Sequence, residues 1–267
     1  MGAVLVRGVE LNVQDEGEGR LLVWGHGLLS DMRFEDETRL MMPDAGDGVR
    51  IVRYDARGHG QSGATDEDED YNWRSLAQDM LGVLDGLGAD TAVLGGASMG
   101  TATALHAAVV APARVDGLVL AIPPTAWSGR RLQARIYRAG AALVGAEGLD
   151  PFITMGRAAP APKILTGELA PVQDALFATL DRLDRDVVPH ILRGAASSDL
   201  PPKERLAELT MPTLILAWEG DTGHPMSTAD ELARLLPNAD LHVASDPAGV
   251  KRWPSLVTDF LRSGGTA

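Results

Sequence analysis

Thr91-Ala92-Val93-Leu94-Gly95-Gly96-Ala97-Ser98-Met99-Gly100-Thr101 is the stretch on which the fold turns. Its first residues are apolar and strand-forming, its middle is rich in glycine, and an alanine-rich helical pattern follows over 99–110. The centre, Gly96-Ala97-Ser98-Met99-Gly100, fits G-x-S-x-G, a sharp strand-to-helix turn that lifts a serine hydroxyl beyond the strand end. Such a serine is forced into strained backbone geometry, so only small neighbours fit around it. Gly96, Ala97 and Gly100 supply that room. The first amides of the following helix, that of Met99 above all, then lie where they can stabilise an oxyanion. Pentapeptides of this kind also occur in inert turns, so the surroundings decide.

Outward from this turn, strand-like and helix-like segments alternate. Runs rich in Val, Leu and Ile predict strands at 4–6, 10–14, 21–24, 50–54, 92–94, 117–121, 213–218 and 240–243. The later runs are apolar on both faces, as in a parallel sheet covered by helices on both sides. Helices are predicted over 73–86, 99–110, 228–236 and 254–262, the third started by a capping box of Thr228 and Glu231. The result is an α/β protein with a mostly parallel, eight-stranded sheet flanked by helices. Regularity breaks over 125–205, where helical fragments are punctuated by Pro123-Pro124, Pro160-Ala161-Pro162 and Pro201-Pro202. An insertion of about 80 residues is too long for a simple loop. It reads as a helical cap, with 1–124 and 206–267 forming the core.

Composition narrows the function. The 267 residues carry 24 Lys+Arg against 37 Asp+Glu, a formal charge of −13. Such an acid excess argues against nucleic acid, because nothing would drive counterion release from phosphates. The absence of Cys removes thiolate nucleophiles and sulfur-based metal sites. Residues 1–16 show no signal-peptide pattern, and the most apolar stretch, 139–146, is far too short to span a membrane. A soluble cytoplasmic protein with no membrane partner is expected. The acidic run Asp66-Glu67-Asp68-Glu69-Asp70 reads as a solvated loop.

A second glycine motif, Gly58-His59-Gly60-Gln61-Ser62-Gly63, matches the dinucleotide pattern G-x-G-x-x-G. A dinucleotide site needs those glycines to open a helix that holds the pyrophosphate. Here they run into the acidic pentad, which would repel it. No nicotinamide, flavin, metal or other cofactor is expected.

Two further loops give the serine its context. Leu22-Val23-Trp24-Gly25-His26-Gly27-Leu28 is a strand ending in His-Gly, and such a loop can offer the Leu28 N–H to the same oxyanion as Met99. Arg53-Tyr54-Asp55-Ala56-Arg57-Gly58-His59-Gly60-Gln61-Ser62-Gly63 follows the next strand. With these three motifs in register, nearly the whole chain resembles the α/β-hydrolase superfamily, in particular its single-domain esterase, lactonase and C–C hydrolase branch. The resemblance implies an α/β-hydrolase fold with a helical cap.

Serine attack at neutral pH needs a base within reach and an acid to orient that base. The resemblance places the acid at Asp221, in Glu219-Gly220-Asp221-Thr222-Gly223-His224-Pro225 after the strand 213–218. It also places the base after the last strand, where this chain departs from the family: 243–267 holds no His. Of the six histidines, His26 and His59 belong to loops the family uses structurally. His106 is expected beside the sheet, His190 in the cap where it could overhang the site, and His242 with its ring entering the helix layers. His224 leaves the same strand end as Asp221, three residues later, and is the best candidate for a displaced base.

Two functions remain open at this stage. One is a cofactor-free serine hydrolase of a small apolar ester, lactone or related carbonyl compound, using Ser98, His224 and Asp221 with the Leu28 and Met99 amides. The other is a protein of the same fold without acyl-enzyme chemistry, acting as a lyase, isomerase or cyclase, or binding a small molecule. A serine rather than an aspartate in the turn argues against alkyl-enzyme chemistry of the haloalkane dehalogenase kind. Trp127, Phe152, Ile153 and Met155 suggest an apolar pocket lining from the cap.

Overall fold

A computed structural model describes residues 2–43, 45–46 and 48–264. The outer limits assigned to the core from sequence, at 1 and 265–267, lie outside these residues. Eight strands form one sheet: β1 (Gly2–Val6), β2 (Val9–Gly17), β3 (Arg20–Gly25), β4 (Val49–Tyr54), β5 (Ala92–Ala97), β6 (Val115–Ala121), β7 (Thr213–Trp218) and β8 (Ala239–Ala244). Their spatial order is β1-β2-β4-β3-β5-β6-β7-β8. β2 pairs antiparallel with β1 and β4, and every other pairing is parallel. All eight expected strands are present, most of them longer by a residue or two.

The helices among the described residues are α1 (Met32–Thr38), α2 (Trp73–Gly86), α3 (Met99–Val110), α4 (Arg130–Glu147), α5 (Leu149–Ala158), α6 (Ala170–Leu180), α7 (Val188–Ala196), α8 (Lys203–Leu206), α9 (Met226–Leu235), α10 (Pro247–Lys251) and α11 (Trp253–Arg262). Alternate strand residues point to opposite faces. Val23, Leu94, Leu118 and Ile215 pack with α2, α3 and α9 on one side. Leu22, Trp24, Val93, Val119 and Leu216 pack with α11 on the other. Burial on both faces explains why these strands read as unbroken apolar runs. Among the described residues no helix is long and apolar enough to cross a membrane.

Between β6 and β7 lie α4 to α8 and no strand. This segment has its own apolar cluster, including Val144, Ile153, Leu180, Val188, Ile191 and Leu192, which closes over Leu29 and Tyr71 of the sheet portion. Buried Arg130 ties its two ends together. The guanidinium donates from Nε to the Ser198 carbonyl (2.7 Å) and lies 4.1 Å from the centre of the Trp73 ring.

Several sequence expectations are corrected. The capping box is absent: α9 starts earlier, with Pro225 at its N-cap, and Thr228 is buried inside the first turn. Glu231 instead binds Lys203 (2.6 Å) and Arg234 (2.8 Å). The acidic run is not simply solvated. Asp68 binds His190 (2.6 Å) and Arg193 (2.7 Å) of α7, and Asp70 binds Arg7 (2.6 Å), so the run docks the β6–β7 segment onto the sheet portion. The His242 ring does not enter a helix layer. It lies half-exposed on the edge strand, 2.9 Å from Asp240.

Candidate active site

Ser98 occupies the one residue between β5 and α3, at φ 52° and ψ −102°. A non-glycine residue at positive φ is strained and persists only when its surroundings enforce it. Here the enforcement is close packing of backbone. A Cβ on Gly96 would sit 2.4 Å from the Gly25 carbonyl oxygen, and one on Gly100 1.9 Å from the same atom. The Ser98 N–H donates to the Ala121 carbonyl on β6 (3.0 Å), pinning the turn from the far side. The hydroxyl is thereby lifted past the strand end toward the cavity described below.

The loop after β7 meets that hydroxyl. Ser98 Oγ lies 2.8 Å from His224 Nε2, and His224 Nδ1 lies 2.8 Å from Asp221 Oδ2. The arrangement assigns the tautomer: Nδ1–H donates to the carboxylate, leaving Nε2 to accept the serine proton. Asp221 Oδ1 accepts the Gly223 N–H (2.8 Å), and Oδ2 also accepts the indole N–H of Trp218 (3.0 Å). Burial by itself would raise the Asp221 pKa. The hydrogen bond and charge of His224, with the Gly223 and Trp218 donors, outweigh it and bring the carboxyl down to about 2. The loop is tied to the β6–β7 segment by the Thr125 N–H, which donates to the Gly223 carbonyl (3.1 Å).

His26 and His59 are committed elsewhere. His26 Nε2 accepts the Ala56 N–H (2.9 Å) and His59 Nε2 accepts the Leu29 N–H (3.2 Å). Their Nδ1 atoms therefore donate, to the carbonyls of Gly27 (2.8 Å) and Arg57 (2.8 Å). Burial, reinforced by neighbouring His26, pushes His59 down to about 3, so it stays neutral. Together they fix the turn after β3, in which the Ser30 N–H donates to Gly27 (3.2 Å) and Leu29 takes φ 58°. Neither of these bonds uses the Leu28 N–H, and the Met99 amide, first in α3, has no acceptor within its helix. Gly27, Leu28 and Ser98 border one cavity.

A family model of the alpha/beta hydrolase fold matches residues 21–140. The 2-hydroxy-6-oxononadienedioate/2-hydroxy-6-oxononatrienedioate hydrolase of Burkholderia vietnamiensis is 30% identical over 239 residues, 80% of this chain and 77% of that one. The chain belongs to the alpha/beta hydrolase family. It is thus an enzyme of the hydrolase class. Two solved structures share its fold: a thermophilic esterase from Thermogutta terrifontis (TM-score 0.84, 22% identity, 99% of each chain) and the enol-lactonase from Burkholderia xenovorans (TM-score 0.80, 21% identity, 98% of this chain and 100% of that one).

In this alpha/beta hydrolase the Asp55-to-Gly63 loop is a structural clasp. The Asp55 carboxylate accepts the N–H groups of Met32 (2.8 Å) and Gln61 (2.9 Å) and the Asn12 amide (2.8 Å). A Cβ on Gly60 (φ +52°) would fall 2.3 Å from that carboxylate, so Gly60 lets the loop close against it. Among the described residues no group of three or more His, Asp or Glu side chains could hold a metal ion.

The hydrolase's cavity, about 380 Å³, is bordered by Ser98, Asp221 and His224. Its apolar walls come from Phe34, Leu40 and Met41 on one side and Leu165, Val172, Leu176 and Phe177 of the β6–β7 segment on the other. The residues expected to line it do not. Trp127 bonds Pro201 under Lys203, Phe152 packs on Gly140, Ile153 lies in the segment's own core, and Met155 is exposed. His190 does not overhang the site, being held by Asp68, and His106 bonds the Asp199 carbonyl (2.9 Å), its pKa lowered by burial.

Two residues of the site escaped sequence reasoning. Trp218 reads only as the apolar end of β7, although its spacing of three from Asp221 was a usable signal. Glu35, on the cavity wall in α1, reads as one more surface charge. Its Oε1 accepts the Trp24 indole N–H (2.6 Å) while Oε2 has no hydrogen-bond partner. Burial pushes its pKa up to about 8, against the Trp24 bond and nearby Arg53.

Proposed function

We propose that the protein is a cofactor-free serine hydrolase of small, largely apolar esters, lactones or related carbonyl compounds. Ser98 is the nucleophile, His224 the general base, Asp221 the carboxylate that orients it, and the N–H groups of Leu28 and Met99 the oxyanion donors. The observation that carries this reading is the unbroken chain from Ser98 Oγ through His224 to Asp221, both links 2.8 Å, bordering an apolar cavity. Ser98 Oγ attacks the carbonyl carbon as its proton passes to His224 Nε2, and the imidazolium then returns that proton to the leaving alkoxide. Water, activated by the same nitrogen, cleaves the acyl-serine. Residues 125–205 act as a cap that supplies one wall of the pocket. A volume of about 380 Å³ suits one small molecule. The sequence expectation of a cytoplasmic enzyme goes with this reading.

The test is p-nitrophenyl acetate turnover. Ser98→Ala and His224→Ala are each expected to lose most of the rate, by a factor on the order of 10⁴ or more, while keeping the fold. Activity equal to wild type in Ser98→Ala would sink the proposal. No turnover above the Ser98→Ala background in the wild-type protein would favour the rival reading, a protein of this fold without acyl-enzyme chemistry.

A further inference from the structure

We infer that Trp218 is a positioning residue for the acid–base pair, holding Asp221 through its indole N–H while Trp253 backs its ring. The inference rests on the roles proposed above for Asp221 and His224. Those two side chains share one short loop, three residues apart, so the aim of the imidazole depends directly on the set of the carboxylate. The loop backbone, flanked by Gly220 (φ +78°) and Gly223, holds only Oδ1 of the acid, through the Gly223 N–H (2.8 Å). The strand before it is paired on both sides, with β6 and β8. Trp218 is the last residue of β7, opposite Ala244 of β8, and is buried. Its Nε1–H donates to Asp221 Oδ2 (3.0 Å), the same oxygen that receives His224 Nδ1–H (2.8 Å).

The ring itself is clamped. Trp253, the first residue of α11 and fully buried, stacks on it with centroids 5.6 Å apart and planes at 22°. The ring also meets His224 edge-on, 6.4 Å between centroids at 78°. The segment after β8, where the family keeps its histidine, therefore supplies here the platform beneath the displaced acid–base pair. A buried indole N–H takes a partner, and this one takes an oxygen at the centre of the proposed chemistry. A donor there withdraws charge from the oxygen that pulls on the imidazole and limits rotation of the carboxylate. Deleting it strengthens that pull and loosens the aim. The other charged side chains of this loop or packed on it are Glu219 and Lys163, the latter against Gly220.

The experiment compares wild type, Trp218→Phe, Trp253→Phe and His224→Ala, measuring kcat and KM for p-nitrophenyl acetate from pH 5 to 9 and checking each fold by circular dichroism. Trp218→Phe keeps a ring in the stack and removes the donor. Its kcat is expected to fall about ten- to hundredfold with KM within about twofold, and its acidic limb to move up by roughly half a pH unit. Trp253→Phe removes no donor to Asp221 and keeps the wild-type limb. A Trp218→Phe enzyme with wild-type kcat and limb overturns the inference, as does an equal limb shift in Trp253→Phe, which would reduce the pair to packing. Should Trp218→Phe fail to fold, the indole N–H resonance of Trp218 in ¹⁵N-tryptophan-labelled protein decides. It must move in Asp221→Asn, and an unmoved resonance overturns the inference. Wild-type turnover in His224→Ala removes the underlying reading itself, a result distinct from a silent Trp218→Phe in a protein whose His224→Ala variant is dead.

Discussion

Two neighbouring strands leave the same end of the sheet and do opposite things. β7 and β8 run parallel, with Trp218 opposite Ala244 as both end. The chain leaving β7 carries Asp221 and His224 into the cavity with Ser98. The chain leaving β8 turns at once into α10, capped by Asp246, whose carboxylate accepts the Gly249 N–H (2.8 Å), and then buries Val250 and Trp253. Among the described residues none beyond His224 borders the cavity. A family resemblance would place the base on the second exit. The difference teaches that the serine's partner is specified by reach to the sheet's carboxyl end, and a loop one strand nearer to β5 satisfies it. The second exit then serves packing.

Substitutions at the two exits should therefore separate rate from stability. Asp221→Asn keeps the shape of the β7 exit but favours the wrong imidazole tautomer. We expect kcat to fall by a factor on the order of 10³–10⁴, with a smaller loss of stability in a urea melt than truncation at the β8 exit causes. His242→Ala, on β8, should stay within about twofold of wild type in the same assay, since its ring faces Asp240 and solvent. A large loss there would erase the contrast. At the β8 exit, Trp253→Ala removes a large core side chain and should cost about 3–5 kcal/mol of unfolding free energy, read by urea denaturation. A stable Trp253→Ala protein would show that this exit is not the packing element described.

The smallest effect concerns the two buried carboxyls that border the cavity, which depart from ordinary values in opposite directions. Asp221, at about 2 against its ordinary 3.8, stabilises the fold above pH 3.8 and ceases to as pH falls toward 2. Glu35 holds its proton up to about pH 8 when folded but releases it near 4.5 when unfolded. Between those values the folded state binds more protons, so stability falls as pH rises. Glu35→Gln keeps an oxygen for the Trp24 indole and removes that penalty. It should melt a few degrees above wild type at pH 8.5 and together with it at pH 4.5. Equal melting at both would contradict the buried, proton-holding carboxyl.

Much of this was legible in the chain. The central strands, buried on both faces, announce themselves as apolar runs, and the need for small residues at Gly96 and Gly100 beside Ser98 was readable, although not that Gly25 is what they approach. That Asp221 and His224 share a strand exit was also readable; the distance from His224 to Ser98 was not, because it depends on how Pro225 and α9 set the loop. The cavity lining failed for a different reason. Phe152 and Ile153 are as apolar as Leu176 and Phe177, and only the tertiary arrangement of α4 to α6 decides which pair turns inward. The Thr228 capping box failed because Pro225 starts α9 before it. α1 went unread because a seven-residue helix with four acidic or basic side chains looks like a loop until Asp31 is seen to accept the Phe34 N–H (2.7 Å).

The role proposed for His224 is tested most directly by the rate at which a fluorophosphonate adds to Ser98, followed by intact mass with the modified residue located by peptide mapping. The account predicts one adduct per chain in the wild-type protein, at Ser98, forming at least a thousandfold more slowly in His224→Ala (about 4 kcal/mol of barrier) and unchanged in His242→Ala. Rapid labelling of Ser98 in His224→Ala would show that another group takes the proton, and the site proposed at the β7 exit would be wrong.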